Sequence, residues 1–301
     1  MHKILVPTDF SFLANCSVNF AVQFAKIYKA GIKLLHIVDP PASGTMNSTG
    51  EIIKNHLDDV FILKLVERTK KLLEGIVHKY SDEGVEIEYE VRFGEPADSI
   101  ILDITKSNID LVIMGSRGAS RINRLILGST TEDVIRKAQC PVITMKCNVD
   151  NIKNMQRILY VLNLEKDKPE MIHELVKLQK LLNAHVHILT VITPEKFRNS
   201  RLIQRQTTAF AEENRIEDYS ISLYAEESEE AGILHFAEEI NADLIALSTH
   251  HRSGIFNILS SNLPEELISH AHRPVWVYNA ESSKVYKSTL HETATISLQK
   301  E

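Results

Sequence analysis

The sequence predicts an α/β protein of two tandem, doubly wound domains, each with an open parallel sheet. Three observations predict this fold class. Short β-branched runs alternate with longer helical patterns through the first half of the chain. The strand-like runs are almost continuously apolar, as in residues 111–114 (LVIM), which is typical of strands buried on both faces. The second half then repeats the order of the first, and 301 residues suffice for two domains of about 150 residues.

Five strands and four helices are expected in the first half. The strand-like runs are Lys3–Val6, Ile32–Val38, Val85–Val91, Asp110–Met114 and Val142–Lys146. The helical patterns cover residues 11–29, 50–80, 96–107 and 129–138. Pro96 suits the first turn of its helix, and residues 129–132 (STTE) have the spacing of a capping box at the start of the last one.

The internal repeat divides the chain. Residues 4–9 match 158–163 and residues 34–40 match 188–194, both at an offset of 154. Residues 109–116 match 242–249 and residues 140–145 match 273–278, at an offset of 133. One gap of 21 residues, expected within 41–80, reconciles the two offsets. The expected domains are residues 1–147 and 156–280, with a short polar linker between them and a polar tail at 281–301.

Composition and charge argue against several classes of partner. Hydrophobic residues make up 44% and charged residues 25% of the chain, as in ordinary globular proteins. The net charge of −6 gives no electrostatic case for nucleic acid, and no apolar run reaches the roughly 18–20 residues of a membrane span. The first residues lack a signal peptide's apolar region, so a cytoplasmic protein with no membrane partner is expected. Cys16, Cys140 and Cys147 are too few and too scattered to predict a disulfide framework or a zinc site.

A glycine-containing loop after the fourth strand carries the candidate chemistry. The pattern G-x2-G-x9-G-S-T is formed by Gly115, Gly118, Gly128, Ser129 and Thr130. Glycine tolerates positive φ and lets backbone amides approach an anion closely. The last glycine opens a helix, whose free N–H groups and dipole form an anion site. The first strand ends at the same edge of the sheet, where open parallel sheets bind their ligands.

This loop, the Pro7-Thr8-Asp9 turn, the Cys140-Pro141-Val142 entry to the last strand and the repeat spacing resemble the universal stress protein family. The resemblance covers both halves, up to about residue 280. It implies an adenine nucleotide alpha hydrolase-like fold. In the nucleotide-binding branch of that family the loop wraps the phosphates and ribose of ATP, so the resemblance implies ATP, alone or with Mg²⁺, as the ligand.

The resemblance also assigns roles by position. It implies that the phosphates and ribose contact Gly115, Gly118, Gly128, Ser129 and Thr130. It implies that the adenine lies among Pro7, Thr8, Asp9, Val38 and Met114. Three arginines in the loop could meet phosphate or equally be solvated, namely Arg117, Arg121 and Arg124.

The second half has lost every one of these glycines. Gly115, Gly118, Gly128 and Ser129 are replaced by Ser248, His251, Ser261 and Asn262, in that order. Asn163 replaces Asp9. Side chains at these positions oppose a close approach of backbone to phosphate, so a structural role is expected for the second half. The family pairs domains through the last strand, which implies an internal pseudo-dimer between residues 142–146 and 275–278. Association into a homodimer and contact with a protein partner are left open.

Several polar residues allow a simpler interpretation. Asp9 after a strand is as typical of a helix N-cap as of a ligand pocket. The second-half histidines at 250, 251, 270 and 272 suggest a metal site, but a solvated loop is the default because the spacing of zinc ligands is absent. His185 and His187 share one face of a strand, where hydrogen-bonded roles are common.

Three functions are compatible with these observations. The leading one is an ATP-binding stress-response or regulatory protein in which the nucleotide alters a surface that partners recognise. The alternatives are a slow ATP-hydrolysing enzyme of the same superfold and a nucleotide-free dimerisation protein. Residues 7–11 match neither the S-G-G-x-D-S of ATP pyrophosphatases nor the H-x-G-H of nucleotidylyltransferases, and no Walker G-K-[ST] follows the glycines. No catalytic residue and no metal ligand are assigned.

Overall fold

The computed structural model describes residues 2–38, 45–46, 52–53, 56–117, 127–147, 151–164, 167–196, 199–249 and 263–279. The elements of the first half are β1 (His2–Pro7), α1 (Phe12–Tyr28), β2 (Ala30–Val38), β3 (Thr45–Met46), β4 (Ile52–Ile53), α2 (His56–Lys79), β5 (Ile87–Phe93), α3 (Pro96–Lys106), β6 (Leu111–Gly115), α4 (Ser129–Lys137) and β7 (Val142–Met145). Those of the second half are β8 (Arg157–Val161), α5 (Pro169–Leu182), β9 (His185–Ile192), α6 (Ser200–Glu213), β10 (Tyr219–Ala225), α7 (Glu229–Glu239), β11 (Leu244–Thr249), α8 (Leu263–His270) and β12 (Val275–Asn279).

Ten of these strands form one sheet that runs through both halves. Its order is β10-β9-β8-β11-β12-β7-β6-β1-β2-β5, so each half contributes five strands in the same internal order. Neighbouring strands within each half are parallel. The predicted α/β class with parallel sheets is therefore confirmed.

The two halves join through their last strands. β12 pairs antiparallel with β7, and Trp276 lies opposite Ile143 in the register. The internal pseudo-dimer implied by the family resemblance thus has a direct structural counterpart. Side chains add to the joint, since Arg136 Nε donates to Glu265 Oε1 at 2.8 Å and Lys146 Nζ donates to the Ser269 carbonyl at 2.6 Å.

Each face of the sheet carries one apolar core that crosses the joint. On one face the core includes Phe20 of α1, Leu175 of α5 and Trp276 of β12. On the other it includes Val134 of α4 and Val277 of β12. Burial of this extent is the main stabilising term in folding, at about 25 cal/mol per Å² of apolar surface. The two halves therefore share their cores as well as their sheet.

The length difference between the repeats falls where it was predicted. α2 has 24 residues and its counterpart α6 has 14. The chain between β2 and α2 is also longer than the chain between β9 and α6, and it contains the β3–β4 hairpin. The predicted helix at 50–80 was placed too early, because residues 52–53 form β4 and α2 begins at His56.

One cysteine pair differs from the sequence-based expectation. Cys16 of α1 and Cys147, just after β7, form a disulfide with their Cα atoms 5.4 Å apart. They are separated by 131 residues in sequence, so their spacing carried no sign of the pairing. Tertiary folding brings them together because α1 packs beside the strands of its own half. Among the described helices, none is both long and apolar enough to cross a membrane.

Candidate functional site

A cavity of about 280 Å³ opens at the carboxyl ends of β1 and β6, above the first turn of α4. Its lining residues come from the ends of these strands, from β2, and from the first turns of three helices. They are Pro7, Thr8, Asp9, Ala14, Ile37, Pro96, Ile100, Met114, Gly115, Arg117, Gly128, Ser129, Thr130 and Thr131. This edge is where open parallel sheets bind ligands.

Most of the residues singled out in the sequence surround this cavity. Two do not. Val38 does not line the cavity. Side chains alternate between the two faces of β2, so Ile37 lies on the cavity side with Leu35, and the buried Val38 lies on the opposite face. Gly118, like Arg121 and Arg124, lies outside the described residues. The structure thus brings the strand-end turn and the glycine motif together, and their binding roles stay predictions.

The turn after β1 is fixed by its own hydrogen bonds. The Thr8 N–H donates to the Leu35 carbonyl at 2.9 Å, and the Phe10 N–H donates to Thr8 Oγ1 at 3.1 Å. Asp9 Oδ1 accepts from the Ser11 N–H at 3.0 Å. The N-cap of α1 is Ser11, whose side chain accepts from the Ala14 N–H. Asp9 is therefore not the N-cap, and its exposed carboxylate stands at the cavity mouth.

The first turn of α4 presents backbone donors to the cavity. Gly128 is the N-cap and makes no side-chain capping bond, so the capping box predicted at Ser129 is wrong. Ser129 is instead the first helical residue. The first intrahelical bond runs from the Glu132 N–H to the Gly128 carbonyl at 2.9 Å. Because the preceding amides lack helical partners, the N–H groups of Ser129 and Thr130 are left as donors at a helix terminus, a geometry that favours anions.

Gly115 is needed for space rather than for an unusual φ. Positive φ occurs at Gly84 and Gly94 among the described glycines, and not at the two motif positions Gly115 and Gly128. A Cβ added at Gly115 would lie 3.1 Å from Leu13 Cβ and 3.2 Å from the carbonyl oxygen of Arg117. Close packing of backbone therefore explains this glycine, and the expected need for positive φ does not.

Two cations lie near the same end of the sheet. Arg117 lines the cavity and follows β6 directly. Burial and the charge of Arg117 together lower the pKa of Lys146. Among the described residues, the cavity lining thus combines the Arg117 cation and the first turn of α4 with the apolar side chains of Ile37, Ile100 and Met114.

The second half fills the equivalent place with its own side chains. Ser248, which replaces Gly115, donates a hydrogen bond to Asp167 Oδ1. Asp167 Oδ2 also accepts from the Tyr160 hydroxyl at 2.5 Å and from the Asn163 N–H at 2.8 Å. Burial and this carboxylate raise the pKa of Tyr160. In the repeat register Asp167 corresponds to Leu13, the residue that touches Gly115 in the first half. Sequence analysis missed Asp167, and only its place in the repeat could have identified it.

Several second-half histidines among the described residues are hydrogen-bonded. The rings of His185 and His187 are 4.6 Å apart, and Ser220 Oγ lies 3.1 Å from one and 2.9 Å from the other. His270 Nδ1 is 2.5 Å from Glu230 Oε1. In the part of the chain that the structure describes, no three histidine, cysteine or acidic side chains form a metal-binding group. Residues 250, 251, 261 and 262 lie outside that part.

Comparison with known proteins gives a consistent result. The model of the universal stress protein family matches twice, over residues 1–146 and 154–279. Universal stress protein MJ0531 of Methanocaldococcus jannaschii is 31% identical over 150 residues, covering 48% of this chain and 81% of that protein. Universal stress protein MJ0577 of the same organism is 30% identical over 156 residues, covering 48% of this chain and 94% of that protein.

A solved structure also shares the two-domain fold. The universal stress protein of Archaeoglobus fulgidus DSM 4304 superposes with a TM-score of 0.73 at 20% identity. The match covers 92% of this chain and 98% of that one. At this identity the likeness concerns the fold, and it extends through both halves.

Proposed function

The chain belongs to the universal stress protein family, and we propose that its first domain binds ATP as a regulatory signal while its second domain has a structural role. The observation that carries the proposal is the cavity over α4. It joins a helix N-terminus, the closely packed Gly115 and the Arg117 cation to apolar side chains. These are the chemical features that a phosphorylated, aromatic ligand requires.

The two sides of the cavity suit the two ends of a nucleotide. The adenine base packs against Ile37, Ile100 and Met114, which offer an apolar surface. The phosphates lie towards the amides of Ser129 and Thr130, where partial positive charge from the helix favours an anion. Gly128, the N-cap of α4, lines this part of the cavity with backbone alone because it has no side chain.

The second domain does not offer the same arrangement at the position of Gly115. There Ser248 is hydrogen-bonded to the carboxylate of Asp167, and the negative charge of that carboxylate opposes the binding of phosphate. We therefore expect one nucleotide per chain. The role left to the second domain is to complete the sheet and core through β12.

The lining residues favour a signal over a substrate that is turned over quickly. Fast phosphoryl transfer requires positioned metal ions and a group that orients the nucleophile. Of the lining residues that the structure describes, Asp9 alone carries a carboxylate, and it lies at the end of β1. A bound Mg²⁺ would therefore be held chiefly by the phosphates. Bound ATP would then act by changing the surface around the cavity mouth.

Isothermal titration with ATP tests the proposal. Ser129→Asp places a negative charge in the first turn of α4, where it favours the helix but repels phosphate. We expect a stoichiometry near one in the parent chain and an affinity at least about tenfold weaker in this variant, equivalent to about 1.4 kcal/mol. Ser200→Asp makes the same change at the start of α6 in the second domain and should leave affinity unchanged. Equal affinity of both variants, or a stoichiometry near two, would contradict the proposed site.

A further inference from the structure

The disulfide between Cys16 and Cys147 is open to reagents in solution. Cys147 is exposed and Cys16 is half-buried. The third cysteine, Cys140, is buried, and burial raises the pKa of its thiol far above the usual value. Exposed disulfides exchange with external thiols more readily than buried ones, because exchange needs direct access to a sulfur atom. The chain therefore contains one accessible cysteine pair and one shielded thiol.

At its α1 end, the disulfide restrains a helix whose first turn lines the cavity. Cys16 lies in the second turn of α1, close to Leu13, which touches Gly115, and to Ala14, which lines the cavity. Ser17 Oγ donates to the Leu13 carbonyl at 3.0 Å. Movement of this part of α1 would therefore displace residues that line the cavity.

At its β7 end, the disulfide restrains a segment that is hydrogen-bonded to the chain beside the cavity. Cys147 comes two residues after Met145, whose carbonyl accepts from the Ser116 N–H at 3.1 Å. Ser116 lies between two lining residues of the cavity. The intervening Lys146 binds the Ser269 carbonyl of the second domain. The disulfide thus ties together two chain segments that both position the cavity, at the joint between the domains.

We propose that Cys16 and Cys147 are a thiol–disulfide exchange site that controls the rigidity of the nucleotide cavity. The oxidant is a low-molecular-weight disulfide. One cysteine thiolate attacks it to form a mixed disulfide and expels one small thiolate. The second cysteine thiolate then attacks the protein sulfur of that mixed disulfide and expels the other small thiolate. Two protein thiols are oxidised, one small disulfide is reduced to two thiols, and the reverse reaction opens the link.

The consequence for ligand binding rests on the proposed function. When the link is closed, α1 and the end of β7 cannot move apart, so less freedom is lost when a nucleotide binds. When the link is reduced, that freedom returns and ATP affinity falls. We expect the oxidised protein to bind ATP at least about threefold more tightly than the reduced protein.

Counting free thiols tests the link without any nucleotide. The full chain is equilibrated in a series of glutathione buffers, from oxidised to reduced, then quenched and labelled with a maleimide in denaturant. One thiol should be labelled at the oxidised end and three at the reduced end, with a single transition between. Cys140→Ala should keep the loss of two thiols on oxidation, whereas Cys16→Ser should lose at most one, because Cys147 can then form only a mixed disulfide with glutathione. Three labelled thiols in oxidised glutathione would overturn the link, and a bond that survives every buffer would overturn its reversibility.

ATP titration of the same samples tests the coupling. Affinity in the parent chain and in Cys140→Ala should fall on reduction, whereas Cys16→Ser should bind equally, at the weaker level, in both buffers. Equal affinity of the oxidised and reduced parent chain would overturn the control of binding. Absence of ATP binding in both states would overturn the proposed function and the coupling with it, while the thiol count would still decide whether the exchange site exists.

Discussion

Gly115 offers a direct test of why the first domain keeps a glycine where the second has a serine. In Gly115→Ala, the new methyl group would stand 3.1 Å from Leu13 Cβ and 3.2 Å from the Arg117 carbonyl oxygen. Carbon atoms prefer separations of about 3.5–4.0 Å, so the helix or the loop must shift by several tenths of an ångström. Overpacking of this kind costs about 1–3 kcal/mol. Because Arg117 lines the cavity and Leu13 directly precedes the lining residue Ala14, ATP affinity should fall as well.

Urea unfolding followed by circular dichroism measures the stability change, and calorimetric titration measures the affinity. Gly75→Ala in α2 is the matched control, since an added Cβ there meets nothing within 4 Å. Alanine is the better helix former, so this variant should gain about 0.5–1 kcal/mol and leave ATP binding unchanged. If Gly115→Ala is as stable as the parent chain and binds ATP equally well, the steric explanation of the motif glycine is refuted.

Two further predictions concern stability. Burial opposes ionisation of Glu90, but hydrogen bonds from Lys33 and Arg92 outweigh it and lower the pKa of its carboxyl. The resulting stabilisation is present above the unfolded pKa of about 4.3 and is lost as pH falls through the lower folded pKa. On acidification, the urea midpoint of Glu90→Gln should therefore fall less steeply than that of the parent chain. Trp276→Ala removes a side chain that is 2% exposed and should cost about 3–5 kcal/mol. Circular dichroism should show one unfolding transition for both halves, and two separated transitions would contradict a shared core.

The strands were the easiest part of the fold to predict. Parallel strands buried on both faces are nearly continuous apolar runs, and β1, β2, β6 and β7 were found within two residues of their predicted bounds. The β3–β4 hairpin was missed, because two-residue strands leave no periodicity to detect. The start of α4 was placed correctly, but Gly128 and Ser129 are both acceptable N-caps and only the backbone geometry separates them.

Contacts between residues distant in sequence could not be predicted from local patterns. The cavity side of β2 depends on the register of the strand, and a shift of one residue exchanges Val38 for Ile37. The Cys16–Cys147 bond depends on how α1 lies over the sheet. Asp167 acquires its role only through Ser248, which is 81 residues away in sequence. Spacing rules describe neighbours along one element, and each of these contacts joins different elements.

The Asp167 cluster explains how the second half could lose the glycines without losing its fold. A serine in place of Gly115 needs space and a hydrogen-bond partner, and Asp167 in place of Leu13 supplies the partner. The carboxylate is in turn satisfied by the Tyr160 hydroxyl and the Asn163 N–H, so its charge is not left unpaired. A carboxylate at this place disfavours phosphate, which agrees with the structural role that we propose for the second half, namely packing against the first. The antiparallel β7–β12 joint and the Lys146–Ser269 hydrogen bond keep that packing close to the cavity, so a structural change in the second domain can reach the proposed nucleotide site.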